Sequence, residues 1–211
     1  MHVAIPLYRR FTALDVAGPY TVLNMAPGFT VTLVAGERGP VADDWGTFRL
    51  EATASYDEVP APDVIMVPGG TGTLDVLSDE ALVGWIRQAH ERTRWTTSVC
   101  TGSLLLGAAG ILRGLPATSH WGLLDMLKQY GAEPVSSRVV TTGKIVTAAG
   151  VSAGIDMALS LLGRAAGEAT AQAVQLAIEY DPEPPFTSGS LRTAPDGIPG
   201  RALHLLTGVP A

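Results

Sequence analysis

The chain has a single cysteine, few charges and a shortage of positive ones. Of its 211 residues 16% are Asp, Glu, Lys or Arg, and 14 Lys and Arg stand against 20 Asp and Glu for a formal net charge of -6. One cysteine can neither close an intrachain disulfide nor build a thiolate zinc site, which excludes a disulfide-stapled secreted scaffold. The acidic balance gives no general grip on phosphate backbones and argues against nucleic acid as a partner. Low charge with 46% hydrophobic residues excludes global disorder. Glycine (24) and proline (15) are frequent but below low-complexity levels, so the expectation is a turn-rich globular chain with one large domain. No internal repeat is present. Met1 to Arg10 lacks the basic-then-apolar layout of a signal peptide, and with the lone thiol this points to a reducing cytoplasm.

The stretch between Arg94 and Arg113 is uncharged and nearly long enough to span a bilayer. Thr96, Thr97, Ser98, Thr101 and Ser103 interrupt its apolar character, and Gly102 falls where a strand would give way to a helix. It reads as strand, turn and helix in a core, not as a membrane segment.

Apolar β-rich runs alternate with amphipathic stretches, the pattern of βα units around a mostly parallel sheet. Predicted strands are residues 2–7, 29–35, 64–67, 96–99, 117–119, 135–141 and 144–148, the last two joined through a tight turn at Thr142-Gly143. Predicted helices are residues 16–25, 79–93, 101–112, 121–130, 152–165 and 168–180, with Ser78 as an N-cap and Asp79 and Glu80 in the first turn. From about residue 181 to 211 the chain is a proline- and glycine-rich tail, closed by a short apolar helix at 201–206.

Cys100 stands where a strand meets a helix, with Ser98 two residues before it and Gly102 two after. This small-x-nucleophile-x-small layout predicts a nucleophile elbow, and a helix N-terminus would lower the thiol pKa. A buried structural cysteine is the alternative. Pro68-Gly69-Gly70-Thr71-Gly72 follows an apolar strand, at the sheet end where open α/β folds place ligands, and lacks the lysine of a phosphate loop. Its backbone is read either as approaching the nucleophile and lending an N–H to an anion, the second N–H coming from Thr101, or as a plain βα turn. Asp15 is read as an N-cap or as a carboxyl facing Cys100, its pKa raised by apolar surroundings and by the thiolate. His90 reads as solvated, His2 and His204 lie near the ends, and His120 reads as a satisfied helix-start histidine. No histidine pair has metal-ligand spacing, so a metal is not expected. Ala148 to Asp156 is a small-residue turn, close-packed or lending N–H groups to a pocket.

The strand at His2 to Leu7, Asp15 with Gly18-Pro19, Pro68-Gly69-Gly70, Ser98-Val99-Cys100-Thr101-Gly102-Ser103 and Thr118-Ser119-His120-Trp121 together resemble the ThiJ/PfpI superfamily, up to about Tyr180. Threonine after the cysteine and aspartate after the first strand are most similar to its isonitrile (isocyanide) hydratase branch. The same features occur in the ligand-sensing domains of AraC-type activators, whose extra helix-turn-helix domain this chain has no room for. The resemblance implies a flavodoxin-like three-layer α/β sandwich and a homodimer. It implies catalytic Cys100, Asp15 and Thr101, with Gly69, Gly70 and Thr101 at the substrate. The activity implied is hydration of a small isonitrile to an N-substituted formamide through a thioimidate, without a cofactor. Two other readings stay open: a redox or ligand sensor built on Cys100, and a glyoxalase or amide hydrolase, for which Thr101 replaces the expected histidine.

Overall fold

The structure, a computed structural model, describes residues 1–207, which form two compact units: Met1–Ile178, and the chain from Glu179 onward. In the first unit the elements are β1 (His2–Pro6), α1 (Ala13–Met25), β2 (Thr30–Ala35), β3 (Gly39–Ala42), β4 (Arg49–Ala52), β5 (Ala54–Ser55), β6 (Val64–Val67), α2 (Glu80–Arg92), β7 (Trp95–Val99) and α3 (Gly102–Ala108). They are followed by β8 (Pro116–Ala117), β9 (Glu133–Pro134), β10 (Val139–Thr142), β11 (Ile145–Ala148), α4 (Ala153–Ala166) and α5 (Glu168–Ala177). The second unit, taken by itself, is turns and one helix, α6 (Ile198–Thr207), where the short closing helix was expected.

The central sheet has seven strands in the order β10-β11-β7-β6-β1-β2-β5, all pairings parallel except β10 with β11. Its middle strands are continuous apolar runs because both faces are covered. Val3, Ala4, Ile5, Val64, Ile65, Met66 and Val67 are all fully buried. α1, α4 and α5 pack on one face, while α2, α3 and the segment Trp121–Tyr130 pack on the other, giving three layers. The predicted mostly parallel three-layer sandwich is therefore the fold observed.

Local differences have local causes. Asp79, not Ser78, caps α2, its carboxylate accepting from the Ala81 and Leu82 N–H groups at 2.9 and 3.2 Å. α3 stops at Ala108, earlier than predicted, and Gly110 follows with φ 80°. Trp121–Tyr130 winds as a 3-10 helix. The strand expected at 117–119 is only Pro116–Ala117, paired with β9 outside the main sheet. The antiparallel pair β3–β4 was not anticipated. The predicted hairpin is present, but its turn is Gly143-Lys144, one residue later than expected: Thr142 ends β10 and pairs with Ile145, and Gly143 sits at φ 58°. Among the described residues no helix is long and apolar enough to cross a membrane.

Candidate active site

Strand order reverses beside β1: β2 and β5 lie on one side of it, β6, β7 and β11 on the other. The carboxyl ends of strands at such a reversal leave a crevice, and the segments after β1, β6, β7 and β11 meet there. They bring Asp15, Gly69, Gly70, Cys100, Thr101 and Val151 together.

Cys100 has φ 56°, a left-handed conformation that a non-glycine residue holds only when its surroundings impose it. Those surroundings are explicit. The Cys100 N–H donates to the Ala148 and Ala149 carbonyls at 3.0 and 3.2 Å, and its carbonyl accepts from the Ser103 and Ser119 hydroxyls at 3.2 and 3.1 Å. Two glycines make room for the turn. A Cβ on Gly102 would lie 2.2 Å from the Val67 carbonyl oxygen, and one on Gly69 would lie 2.5 Å from Thr101 N and 2.8 Å from Cys100 Cβ. The Pro68-Gly69-Gly70 backbone thus lies against the cysteine, but the N–H it was expected to lend to an anion is already used: Gly69 donates to Asp15 and Gly70 to Thr101 Oγ1.

Asp15 is not the N-cap of α1. That position belongs to Thr12, and Asp15 lies in the first turn, fully buried. Its Oδ2 accepts the Gly69 N–H at 2.8 Å, whereas Oδ1 has no nitrogen or oxygen partner. The carboxyl pKa is pushed up to about 8, first by burial and also by the charge of Asp44, against the Gly69 N–H and a hydrogen bond with the Cys100 side chain, which pull it down. The rise was expected, but the cysteine acts in the opposite sense to the expected one: it favours the carboxylate as a hydrogen-bond partner.

The expectation of a lowered thiol pKa is overturned. Cys100 is raised well above its ordinary value, chiefly by burial and then by the Asp15 charge, and the N–H groups of Thr101 and Val151 and the Thr101 hydroxyl only partly oppose this. Carboxyl and thiol therefore titrate as a pair. Thr101 Oγ1 accepts the Gly70 N–H at 3.0 Å and lies 2.7 Å from Thr73 Oγ1. The Gly70 and Gly69 N–H groups are thus engaged by Thr101 and Asp15, while the Thr101 N–H is directed at sulfur. Val151, with φ 20°, brings its N–H to the sulfur as well, and the preceding turn is close-packed: a Cβ on Gly150 would lie 2.5 Å from His120 Cδ2.

His120 caps its helix, Nδ1 accepting the Gly122 N–H at 3.1 Å, as a helix-start histidine should. His90 is not simply solvated. It is half-buried, with Nδ1 2.8 Å from Thr96 Oγ1 and a pKa lowered mainly by burial. Among the described residues no group of three His, Cys, Asp or Glu side chains could hold a metal ion. Tyr8, Thr73, Ser103 and Ser119 escaped the sequence reading as individual contributors. Of these, Thr73, one residue beyond the glycine-rich loop, Ser103, at the end of Ser98-Val99-Cys100-Thr101-Gly102-Ser103, and Ser119, inside Thr118-Ser119-His120-Trp121, carry a local signal.

The model of the DJ-1/PfpI family matches residues 1–164. The chain is 44% identical over 198 residues to an isonitrile hydratase of Pseudomonas putida, covering 94% of this chain and 86% of that protein. It is 28% identical to the deglycase PH1704 of Pyrococcus horikoshii over 70% of this chain and 89% of that one. Among solved structures it is similar to a ThiJ/PfpI family protein from Pseudomonas syringae, with a TM-score of 0.93, 37% identity, and coverage of 98% of this chain and 86% of that chain.

Proposed function

The chain belongs to the DJ-1/PfpI family, and from that premise we propose that it is an enzyme hydrating isonitriles to N-substituted formamides, with Cys100 as nucleophile on a nucleophile elbow and Asp15 as acid and base. The observation that carries this reading is the fully buried Asp15 carboxyl, raised to about 8, with one oxygen lacking any nitrogen or oxygen partner beside a buried thiol. The 44% identity to an isonitrile hydratase over most of both chains supports the same substrate class.

The reactive form of the pair holds one proton, as carboxylic acid and thiolate, the minor tautomer of the carboxylate and thiol that the two shifts favour, reached by passing the thiol proton to Asp15. Isonitrile carbon is electron-rich, so sulfur adds only as Asp15 delivers its proton to that carbon. A C–S and a C–H bond form, giving a thioimidate R–N=CH–S–Cys100 and the Asp15 carboxylate. Water then adds to the carbon, one of its protons passing through Asp15 to nitrogen. Collapse of R–NH–CH(OH)–S–Cys100 returns the hydroxyl proton to Asp15, breaks the C–S bond and releases R–NH–CHO with the starting pair restored. The chemistry requires no cofactor. Throughout, the Thr101 and Val151 N–H groups face the sulfur and favour it as the leaving thiolate. The Thr101 hydroxyl and the Gly69-Gly70 backbone border the space where the substrate would stand.

The same reading takes the protein to be a cytoplasmic homodimer. The lone thiol and the exposed Trp45, Phe48, Leu14 and Tyr20 side chains support it.

Incubation with a simple alkyl isonitrile, followed by formamide detection, tests the reading. Turnover that Cys100→Ala and Asp15→Asn both abolish upholds it. No turnover, with Cys100 selectively gaining two oxygens, replaces it by a redox sensor.

A further inference from the structure

Tyr8 and Thr73, which the proposed reaction does not use, form with Thr101 a buried chain of three hydroxyls that reaches the surroundings of Cys100: Thr101 Oγ1 and Cys100 Cβ lie 2.6 and 2.8 Å from the point a Cβ on Gly69 would occupy, and the Thr101 hydroxyl acts on the Cys100 side chain. Tyr8 and Thr101 are 6% exposed and Thr73 is fully buried. Thr101 Oγ1 lies 2.7 Å from Thr73 Oγ1, which lies 2.9 Å from the Tyr8 hydroxyl, which in turn lies 2.9 Å from the Pro68 carbonyl oxygen. At the other end the Gly70 N–H donates to Thr101 Oγ1 at 3.0 Å.

The two ends fix the direction of the whole chain. A carbonyl oxygen only accepts, so Tyr8 donates to Pro68. With its single proton used there, the Tyr8 oxygen accepts from Thr73, and Thr73 in turn accepts from Thr101. The other acceptor within reach of Thr101, the Gly70 carbonyl, is farther away at 3.3 Å. At rest, then, the Thr101 proton points away from Cys100, and the second lone pair of its oxygen is left for the thiol. An anionic sulfur reverses the demand, because it needs donors. The chain can reverse with it: Thr101 donates to sulfur, Thr73 to Thr101 and Tyr8 to Thr73, and the only contact given up is that between Tyr8 and Pro68.

We propose that Tyr8 and Thr73 are positioning residues for Cys100, holding the Thr101 proton away from the sulfur while it is a thiol and releasing it when the sulfur is anionic. The proposal rests on the reading above only in taking Cys100 as the reacting atom, and does not depend on the isonitrile. The charged groups facing the chain are Asp15 from α1, the Cys100 sulfur from the turn after β7, and Asp44 from the β3–β4 connection. With burial they raise the Tyr8 pKa well above its ordinary value, so Tyr8 takes part as a neutral hydroxyl.

The test is the rate of Cys100 alkylation by iodoacetamide against pH, unambiguous in a chain with one cysteine, with thermal unfolding recorded for every variant. Tyr8→Phe abolishes the contact that reversal would break, and Thr73→Val removes the competing acceptor. Each therefore lowers the apparent pKa for alkylation by about 0.4 to 1 unit, the worth of one hydrogen bond. Thr101→Val, lacking the donor, raises it. Thr73→Ser keeps the hydroxyl and the wild-type profile. A role for Thr73 in packing alone gives the reverse, with the isosteric valine silent and the serine shifted. An unchanged or raised apparent pKa in both Tyr8→Phe and Thr73→Val overturns the proposal. The predicted shifts in a protein that turns over no isonitrile would uphold it and refute the substrate reading instead.

Discussion

The two ends of β7 each carry a buried polar cluster built from hydroxyls and a titratable group, yet they are finished differently. At the amino end Thr96 Oγ1 lies 2.8 Å from both His90 Nδ1 and Thr93 Oγ1, Thr93 donates to the His90 carbonyl at 3.1 Å, and the Lys144 ammonium donates to the His90 and Thr93 carbonyls. Each of these groups has a partner, and none of the residues has a positive φ. At the carboxyl end Asp15 Oδ1 and Ser98 Oγ, both buried, have no nitrogen or oxygen partner, and Cys100 and Val151 sit at φ 56° and 20°. Burial of polar groups is therefore not what distinguishes the site. A fold stabilises itself by satisfying such groups, and a buried carboxyl with one oxygen left without a nitrogen or oxygen partner, beside a cysteine of strained backbone, costs stability and marks the carboxyl end as the candidate site.

Substitutions at the two ends should separate these roles. Asp15→Asn removes the proton donor and is expected to lower turnover by about 10² to 10⁴-fold, the usual range for loss of a general acid-base. Thr96→Val leaves turnover within about threefold but breaks the satisfied cluster, and lowers stability by roughly 1 to 3 kcal/mol in a denaturant titration. If Thr96→Val cost as much turnover as Asp15→Asn, the contrast would fail.

Stability against pH sharpens it further. The folded-state pKa of Asp15 is raised from an ordinary 3.8 to about 8, so between these values the folded state holds a proton that the unfolded state has released. Stability conferred by the neutral carboxyl is complete below the unfolded value and is lost as pH rises toward 8. Asp15→Asn, neutral at every pH, should gain stability relative to wild type across that window, by about 2 kcal/mol or more near its upper end, seen as a rise in Tm of several degrees. A difference independent of pH would show that Asp15 ionises normally.

Two glycines give opposite outcomes. Gly84 in α2 has no atom within 4 Å of where a Cβ would go, and Gly84→Ala should stabilise by about 0.5 to 1 kcal/mol through helix propensity alone. Gly69→Ala, whose Cβ would meet Thr101 N, should instead slow turnover by displacing the Cys100 turn, measurable as a drop in kcat with the fold intact by circular dichroism.

Much of this was legible in the sequence because it depends on local order. The Val64–Val67 strand is bounded as predicted, and Cys100 between Ser98 and Gly102 announces the strand-turn-helix that the structure contains. Asp15 was recognisable as a candidate, though its N-cap reading could be rejected only once Gly69 was seen to supply its partner. The β3–β4 pair escaped because Gly39–Ala42 and Arg49–Ala52 are short and largely partly exposed, and carry little periodicity. The thiol pKa was misjudged because a helix N-terminus is visible in sequence, whereas burial and the distance to a carboxyl 85 residues away are tertiary quantities. The pairing of Tyr8 with Thr73 is hidden for the same reason: the two are 65 residues apart in the chain and adjoin only after folding.

The Asp15 carboxyl is expected to stay neutral beside Cys100 until the pair loses its first proton. Following the carboxyl by carbon-13 chemical shift in protein labelled at aspartate, with Asp15→Asn identifying the resonance, tests it directly. An Asp15 titration near pH 8 is the expected result. A midpoint near 4, the ordinary value for an aspartate, would contradict it.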